Sequence, residues 1–167
     1  VDLDPQGNAG SGLGRAKDAE GSTVYDLLIG TASLDQCIVP TEVEGLDLVP
    51  STVDLYGAEV ELVGLERREK RLAEALAKAA GYEVVLIDCA PSLGLLTLNA
   101  LTAADRVLVP LQCEYYALEG ISQLLRTIDL VKAGPNPRLS LEGILLTMFD
   151  PRNNLAHQVE AEIRKHF

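Results

Sequence analysis

Glu83-Val84-Val85-Leu86-Ile87-Asp88 runs four apolar residues into a carboxylate, and Cys89-Ala90-Pro91-Ser92 follows at once. A continuous apolar run of this length, as opposed to an alternating one, marks a strand covered on both faces, as in a parallel sheet. Arg106 to Leu111 (RVLVPL) and Glu142 to Phe149 (EGILLTMF) have the same character, and shorter strands are expected near Cys37 to Val39 and Leu46 to Val49. Between these runs the apolar residues recur at helical spacing. Leu118, Ile121, Leu124, Leu125, Ile128 and Val131 form one stripe, Leu72 and Leu76 with their alanine neighbours a second, and Leu95, Leu98 and Leu101 a third. Gly134-Pro135-Asn136-Pro137 interrupts the pattern as a loop between helix and strand. The alternation predicts an α/β fold, a mostly parallel sheet with helices on both faces, with residues 1–167 as a single domain.

Composition narrows the function. The 167 residues are 47% hydrophobic, which suits one domain with a substantial core. No apolar run approaches the roughly 18 to 20 residues of a membrane span, and no secretory leader is legible, so a cytoplasmic location without membrane attachment is expected. Cys37, Cys89 and Cys113 are odd in number and far apart, which predicts buried free thiols and neither a disulfide framework nor a CxxC site. His157 and His166 share no metal-binding helix face. The formal net charge of -11 bears on nucleic acid, whose binding depends on Lys and Arg neutralising phosphates.

Two stretches carry the chemistry. In Val1-Asp2-Leu3-Asp4-Pro5-Gln6-Gly7-Asn8 two carboxylates end a strand before Pro and Gly turn the chain outward. Ligands of open α/β sheets bind outside the carboxyl ends of strands. An acid there can hold Mg²⁺ through water or orient a water for attack on a phosphate. A bare D-x-D-P serves equally as an Asx turn ending a strand. Val84 to Asp88 adds a second acid at a strand end, the form of a Walker B element, and the Cys89-Ala90-Pro91-Ser92 that follows makes it more specific.

D-x-D-P-Q-G-N at residues 2–8, the apolar strand with D-x-x-P-S at 84–92, L-x-L-N-A-L at 96–101 and E-Y-Y-A-L-E-G at 114–120 together resemble the ParA/Soj partitioning ATPases, in order and separation, over essentially the whole chain. Pro5-Gln6-Gly7-Asn8 favours this branch over the MinD-like one. The resemblance implies a P-loop NTPase-like fold of the deviant Walker A subclass, with ATP and Mg²⁺ as cofactors. By the same resemblance Asp4 is the catalytic acid that positions the attacking water, and Asp88 holds Mg²⁺ through water. Asp2 supports the phosphate loop or metal shell, Pro91 and Ser92 shape the segment that senses the γ-phosphate, and Met148, Phe149 and Asp150, with Thr147, lie near adenine. Glu114, Tyr115, Tyr116, Glu119 and Gly120 fall near an ATP-dependent homodimer interface. The implied partners are a ParB-type centromere-binding protein and nonspecific DNA on the nucleoid.

One departure is an absence. The family's K-G-G-x-G-K-[ST] phosphate loop occurs nowhere in the chain: Gly10-Ser11-Gly12-Leu13-Gly14 lacks the lysine and hydroxyl that should follow, and Gly12-Leu13-Gly14 reads instead as a mobile loop. In the family that loop lies upstream of D-x-D-P. Val1 opens in mid-strand, and the apolar steps Leu155, Val159, Ile163 and Phe167 end without a helix stop, so a fragment open at both ends is expected. The alternatives are a MinD-like or other deviant-Walker ATPase with a membrane or cargo role, and a non-catalytic binding module. With its acidic balance, the 167-residue chain by itself should give no saturable shift of duplex DNA at physiological salt in a gel-mobility assay.

Overall fold

The computed structural model describes residues 1–16, 20–114 and 117–166. They form two compact units, Val1–Ala104 and Asp105–Phe167. The element order is β1 (Asp2–Leu3), α1 (Asn8–Gly12), α2 (Val24–Ile29), α3 (Leu34–Cys37), β2 (Val39–Pro40), β3 (Asp47–Leu48), α4 (Leu55–Glu61), α5 (Arg71–Leu76), β4 (Asp88–Cys89) and α6 (Leu95–Ala103), then β5 (Arg106–Gln112), α7 (Ala117–Ala133), β6 (Ser140–Thr147) and α8 (Asn154–His166). The α/β expectation holds. β1 pairs parallel with β4, and β5 with β6, while the short β2 and β3 pair antiparallel.

In the first unit β1 lies among helices. Leu3 is buried with Val24, Leu27 and Leu28 of α2, Leu55 and Ala58 of α4, Leu72 of α5, and Leu96 and Ala100 of α6. Local chemistry starts α2: Asp26 Oδ2 accepts from the Thr23 amide at 2.9 Å and Thr23 Oγ1 accepts from the Tyr25 amide at 3.2 Å, a capping box that satisfies amides with no partner inside the helix. Gly30, at φ 88°, closes the helix in the left-handed conformation. Cys37 and Cys113 are buried and Cys89 half-buried, all three as free thiols.

Three local expectations are corrected. Only Asp88–Cys89 of the 83–89 run is laddered. The Asp88 amide donates to Val1 O at 2.9 Å, but residues 83–85 meet no backbone partner among the described residues, and Val84 and Leu86 are exposed. A strand exists only where a second strand takes up its polar groups. Of the loop expected at Gly12 to Gly14, Gly12 ends α1 and only Leu13 and Gly14 lie in a turn beyond it, the helix being held at Gly10 by the buried Asp2 carboxylate. In α6 the core side is Leu96 and Ala100, with Leu95 and Leu98 half-buried, since the helix is covered around most of its circumference.

The second unit matches its pattern closely. β5 and β6 pair in register except at Val107/Leu108, where a bulge leaves Glu142 unpaired and its carboxylate bonded to Arg106 at 2.6 Å. Val109 and Leu111 pack with Ile121 of α7 and with Ala156, Val159 and Ile163 of α8, of which Ile121, Val159 and Ile163 are residues that the helical spacing singles out. Among the described residues no helix is long and apolar enough to cross a membrane.

Asn99, in the L-x-L-N-A-L stretch, is fully buried. Its Oδ1 accepts from the Leu72 amide at 3.1 Å, and its Nδ2 donates to Arg68 O at 2.8 Å and Leu95 O at 3.0 Å. It therefore ties the start of α5 to α6. Asn99→Ala should lose about 2–4 kcal/mol of unfolding free energy in urea titration, because it strands buried backbone groups as well as their hydrogen bonds.

Candidate functional site

The site begins with register. β1 and β4 run parallel and pair Asp2 with Asp88 and Leu3 with Cys89. Paired residues of neighbouring strands show their side chains on one face; Asp4 follows β1 directly, near enough for its charge to act on Asp88. Three carboxylates are thus gathered where two strands end together.

Their environments differ. Asp2 is fully buried, with Oδ1 accepting from the Asp4 amide at 3.2 Å and Oδ2 from the Gly10 amide at 3.0 Å. It braces the outgoing loop against the strand. Asp4 is half-buried; its Oδ1 accepts from the Gln6 amide at 2.9 Å and its carbonyl from the Gly7 amide at 2.9 Å, the Asx turn that its sequence allows. Gly7 stands at φ 63°, and a Cβ there would lie 3.2 Å from Ser51 O, so both the backbone and the space call for glycine. Gln6 Nε2 donates to the Tyr56 hydroxyl at 2.8 Å.

Asp88 is exposed as a residue, yet its carboxyl is partly withdrawn from water against β1. That withdrawal first, then the charges of Asp2 and Asp4, push its pKa above the ordinary carboxylate value. A gathering of like charges invites a cation. Among the described residues no three His, Cys, Asp or Glu side chains are placed to hold a metal unaided. Mg²⁺ does not require three, since it commonly takes one or two carboxylates with waters and phosphate oxygens, and Asp88 is a donor of that kind. Burial, followed by the Asp88 charge, pushes the Cys89 thiol up to about 12, and burial with Asp26 pushes Cys37 to about 11, so neither is a thiolate nucleophile at neutral pH.

Beyond β4 the chain turns at Pro91 and Ser92, both exposed. The Ser92 amide donates to Ala90 O at 2.7 Å, and Ser92 O accepts from Thr97 Oγ1 at 2.6 Å, which fastens the turn to the start of α6. In the second unit Met148 is exposed at φ 54°, a left-handed backbone rare outside glycine. Phe149 meets His157 edge to face at 5.3 Å, and Asp150 is held below its usual range by the Arg152 guanidinium, which donates to it at 2.9 and 3.0 Å. Glu114 and Gly120 are exposed, whereas Tyr115, Tyr116 and the side chain of Glu119 lie outside the described residues. Sequence reasoning missed Tyr56, which carries no motif and is recruited to Gln6 only by the placing of α4.

Residues 1–141 match the family described as AAA domain. The whole chain is 61% identical to the chromosome partitioning protein ParA of Myxococcus xanthus, over 59% of that protein, and 55% identical to the sporulation initiation inhibitor protein Soj of Bacillus subtilis, over 66% of it. The chain thus spans about three fifths to two thirds of the length of these relatives. A solved structure described as cobyrinic acid a,c-diamide synthase from Mycobacterium smegmatis, with bound ATP analog and magnesium, superposes with a TM-score of 0.94 at 45% identity, over the whole of this chain and 68% of that one. A plasmid partition protein from Borrelia burgdorferi, 23% identical with a TM-score of 0.83 over 98% of this chain and 70% of its own, shares the fold.

A carboxyl whose pKa is raised in the fold contributes stability below its unfolded pKa and loses it as pH rises through the folded one. Asp88→Asn should therefore melt at a higher temperature than the parent at neutral pH, with the gain vanishing in strong acid, as followed by circular dichroism.

Proposed function

The chain belongs to the AAA domain family and, within it, to the ParA/Soj partitioning ATPases, and from this premise we infer that residues 1–167 are one core domain of a protein that binds MgATP and hydrolyses it to drive chromosome or plasmid segregation. The observation that carries this reading is the pairing of Asp2 with Asp88 on two parallel strands, with Asp4 one residue beyond the first.

Each residue then has a task. Asp4, held in its turn by Gln6 and Gly7, orients the attacking water toward the γ-phosphate. Asp2 keeps that turn in place through the Asp4 and Gly10 amides. Asp88 holds the metal through water, and the like charges that raise its pKa are relieved when a cation arrives. Mg²⁺, when bound, supplies neutralisation of the phosphate oxygens. Pro91 and Ser92 carry the position of β4 into α6. Met148, Phe149 and Asp150 take the adenine end, and Glu114, Tyr115, Tyr116, Glu119 and Gly120 meet a second copy of the chain. The paired, ATP-bound state coats nucleoid DNA without sequence preference through basic residues outside these 167, and a ParB-type partner speeds hydrolysis. Cleaving a γ-phosphate that contacts both copies removes the differential binding that favours pairing. Partitioning names accompany relatives at 51–61% identity, above the 45% of the synthase-named structure, which favours segregation over amide synthesis.

In the natural full-length protein Asp4→Ala should keep ATP binding and ATP-dependent pairing by analytical ultracentrifugation, while turnover falls by about 100-fold or more in a phosphate-release assay. Unchanged hydrolysis removes Asp4 from this role.

A further inference from the structure

Helix α4 touches both acid-bearing loops. Leu55 and Ala58 anchor its inner side in the core, each fully buried. From its outer side the Tyr56 hydroxyl accepts from Gln6 Nε2 at 2.8 Å, and the Gln6 amide in turn donates to Asp4 Oδ1 at 2.9 Å. Three residues on, and so on a neighbouring part of the same surface, the Glu59 carboxylate lies against Gly94, which begins α6 two residues after Ser92.

The contact with Gly94 leaves no room for a Cβ unless the Glu59 side chain moves. Gly94 has φ -81° and ψ -172°, which any residue adopts, so the backbone does not demand glycine there. On the side-chain side the movable end of Glu59 fills the space that a Cβ would take. A Cβ at Gly94 would collide with Glu59 Oε1, and would stand 3.0 Å from Cδ and 3.4 Å from Oε2. Glu59 Oε1 is itself buried and accepts no hydrogen bond among the described residues. A buried charged oxygen without a donor is costly. The start of α6, with its outward amides, is where a carboxylate is best tolerated.

We propose that α4 is a strut that fixes the Asp4–Gly7 turn and the Pro91–Gly94 turn relative to each other, with Tyr56 and Glu59 as positioning residues for turnover. The proposal rests on the ATPase reading above. Neither side chain touches the reacting groups. Both act by holding Asp4 and the segment after Asp88 at a fixed separation, and displacements of about 1 Å in such a constellation cost on the order of 100-fold in rate.

The test is a cycle in the natural full-length protein, with Glu59→Ala, Gly94→Ala and the double variant, read by ATP turnover and by thermal melting. Glu59→Ala should lower kcat about tenfold with the KM for ATP unchanged within about twofold, as expected for lost positioning without lost binding. Glu59→Gln, which keeps the shape, should restore kcat to within about threefold, and Tyr56→Phe should resemble Glu59→Ala. Gly94→Ala should lower both kcat and the melting temperature, and adding Glu59→Ala should recover the melting temperature, because the colliding oxygen is gone. Additive losses in the double variant overturn the contact. Wild-type kcat in both Glu59→Ala and Tyr56→Phe overturns the strut. If the unmodified protein releases no phosphate from ATP, the functional reading fails and the positioning role with it, while the melting cycle still decides the contact.

Discussion

The parallel pairing of β1 with β4 is the constraint on which the site depends. Two paired positions, Asp2 with Asp88 and Leu3 with Cys89, suffice to bring acids from sequence positions far apart onto one face at one edge. Parallel pairing makes this possible, because both strands then deliver their carboxyl ends, and the loops that follow them, to the same side. Leu3 and the helices around it hold the pair in the core, so the register of the acids is set by hydrophobic burial underneath them.

The same pairing has a cost in electrostatics. Three neighbouring carboxylates repel, and the fold limits the damage by giving each a different environment. Asp2 accepts from two backbone amides, Asp4 from the amide of its own turn, and Asp88 carries a raised pKa. A site poised for a cation is in this respect less stable than it need be, a common relation between function and stability. The half-buried Cys89 next to Asp88 adds no reactivity, because burial and the neighbouring charge keep it a thiol.

Much of the second unit was legible because periodicity reports burial directly. The spacing of Ile121, Ile128 and Val131, and of Val159 and Ile163, describes amphipathic helices, and the structure buries all five, with Ile121, Val159 and Ile163 in the cluster of Val109 and Leu111. The first unit was less legible. α6 is surrounded, so its leucines do not mark one side, and Asn99, quoted as part of a motif, turns out to be a structural tie between helices. The run Val84 to Ile87 has a strand's composition, but apart from the Val1 amino group on Leu86 O it meets no second strand, and only Asp88–Cys89 joins a ladder among the described residues.

By itself the sequence determined the α/β class, the principal helices, the strands of the second unit, and Asp4 and Asp88 as acids at strand ends, because alternation, helical spacing and turn chemistry are local properties written residue by residue. Only the tertiary structure decided that Asp2 is a buried brace, that Glu59 fills the space beside Gly94, and that Tyr56 and Glu59 stand beside the acid-bearing loops. Those facts depend on which surfaces meet across the packed core, and contacts between residues 35 to 50 positions apart leave no period or motif in the chain that makes them.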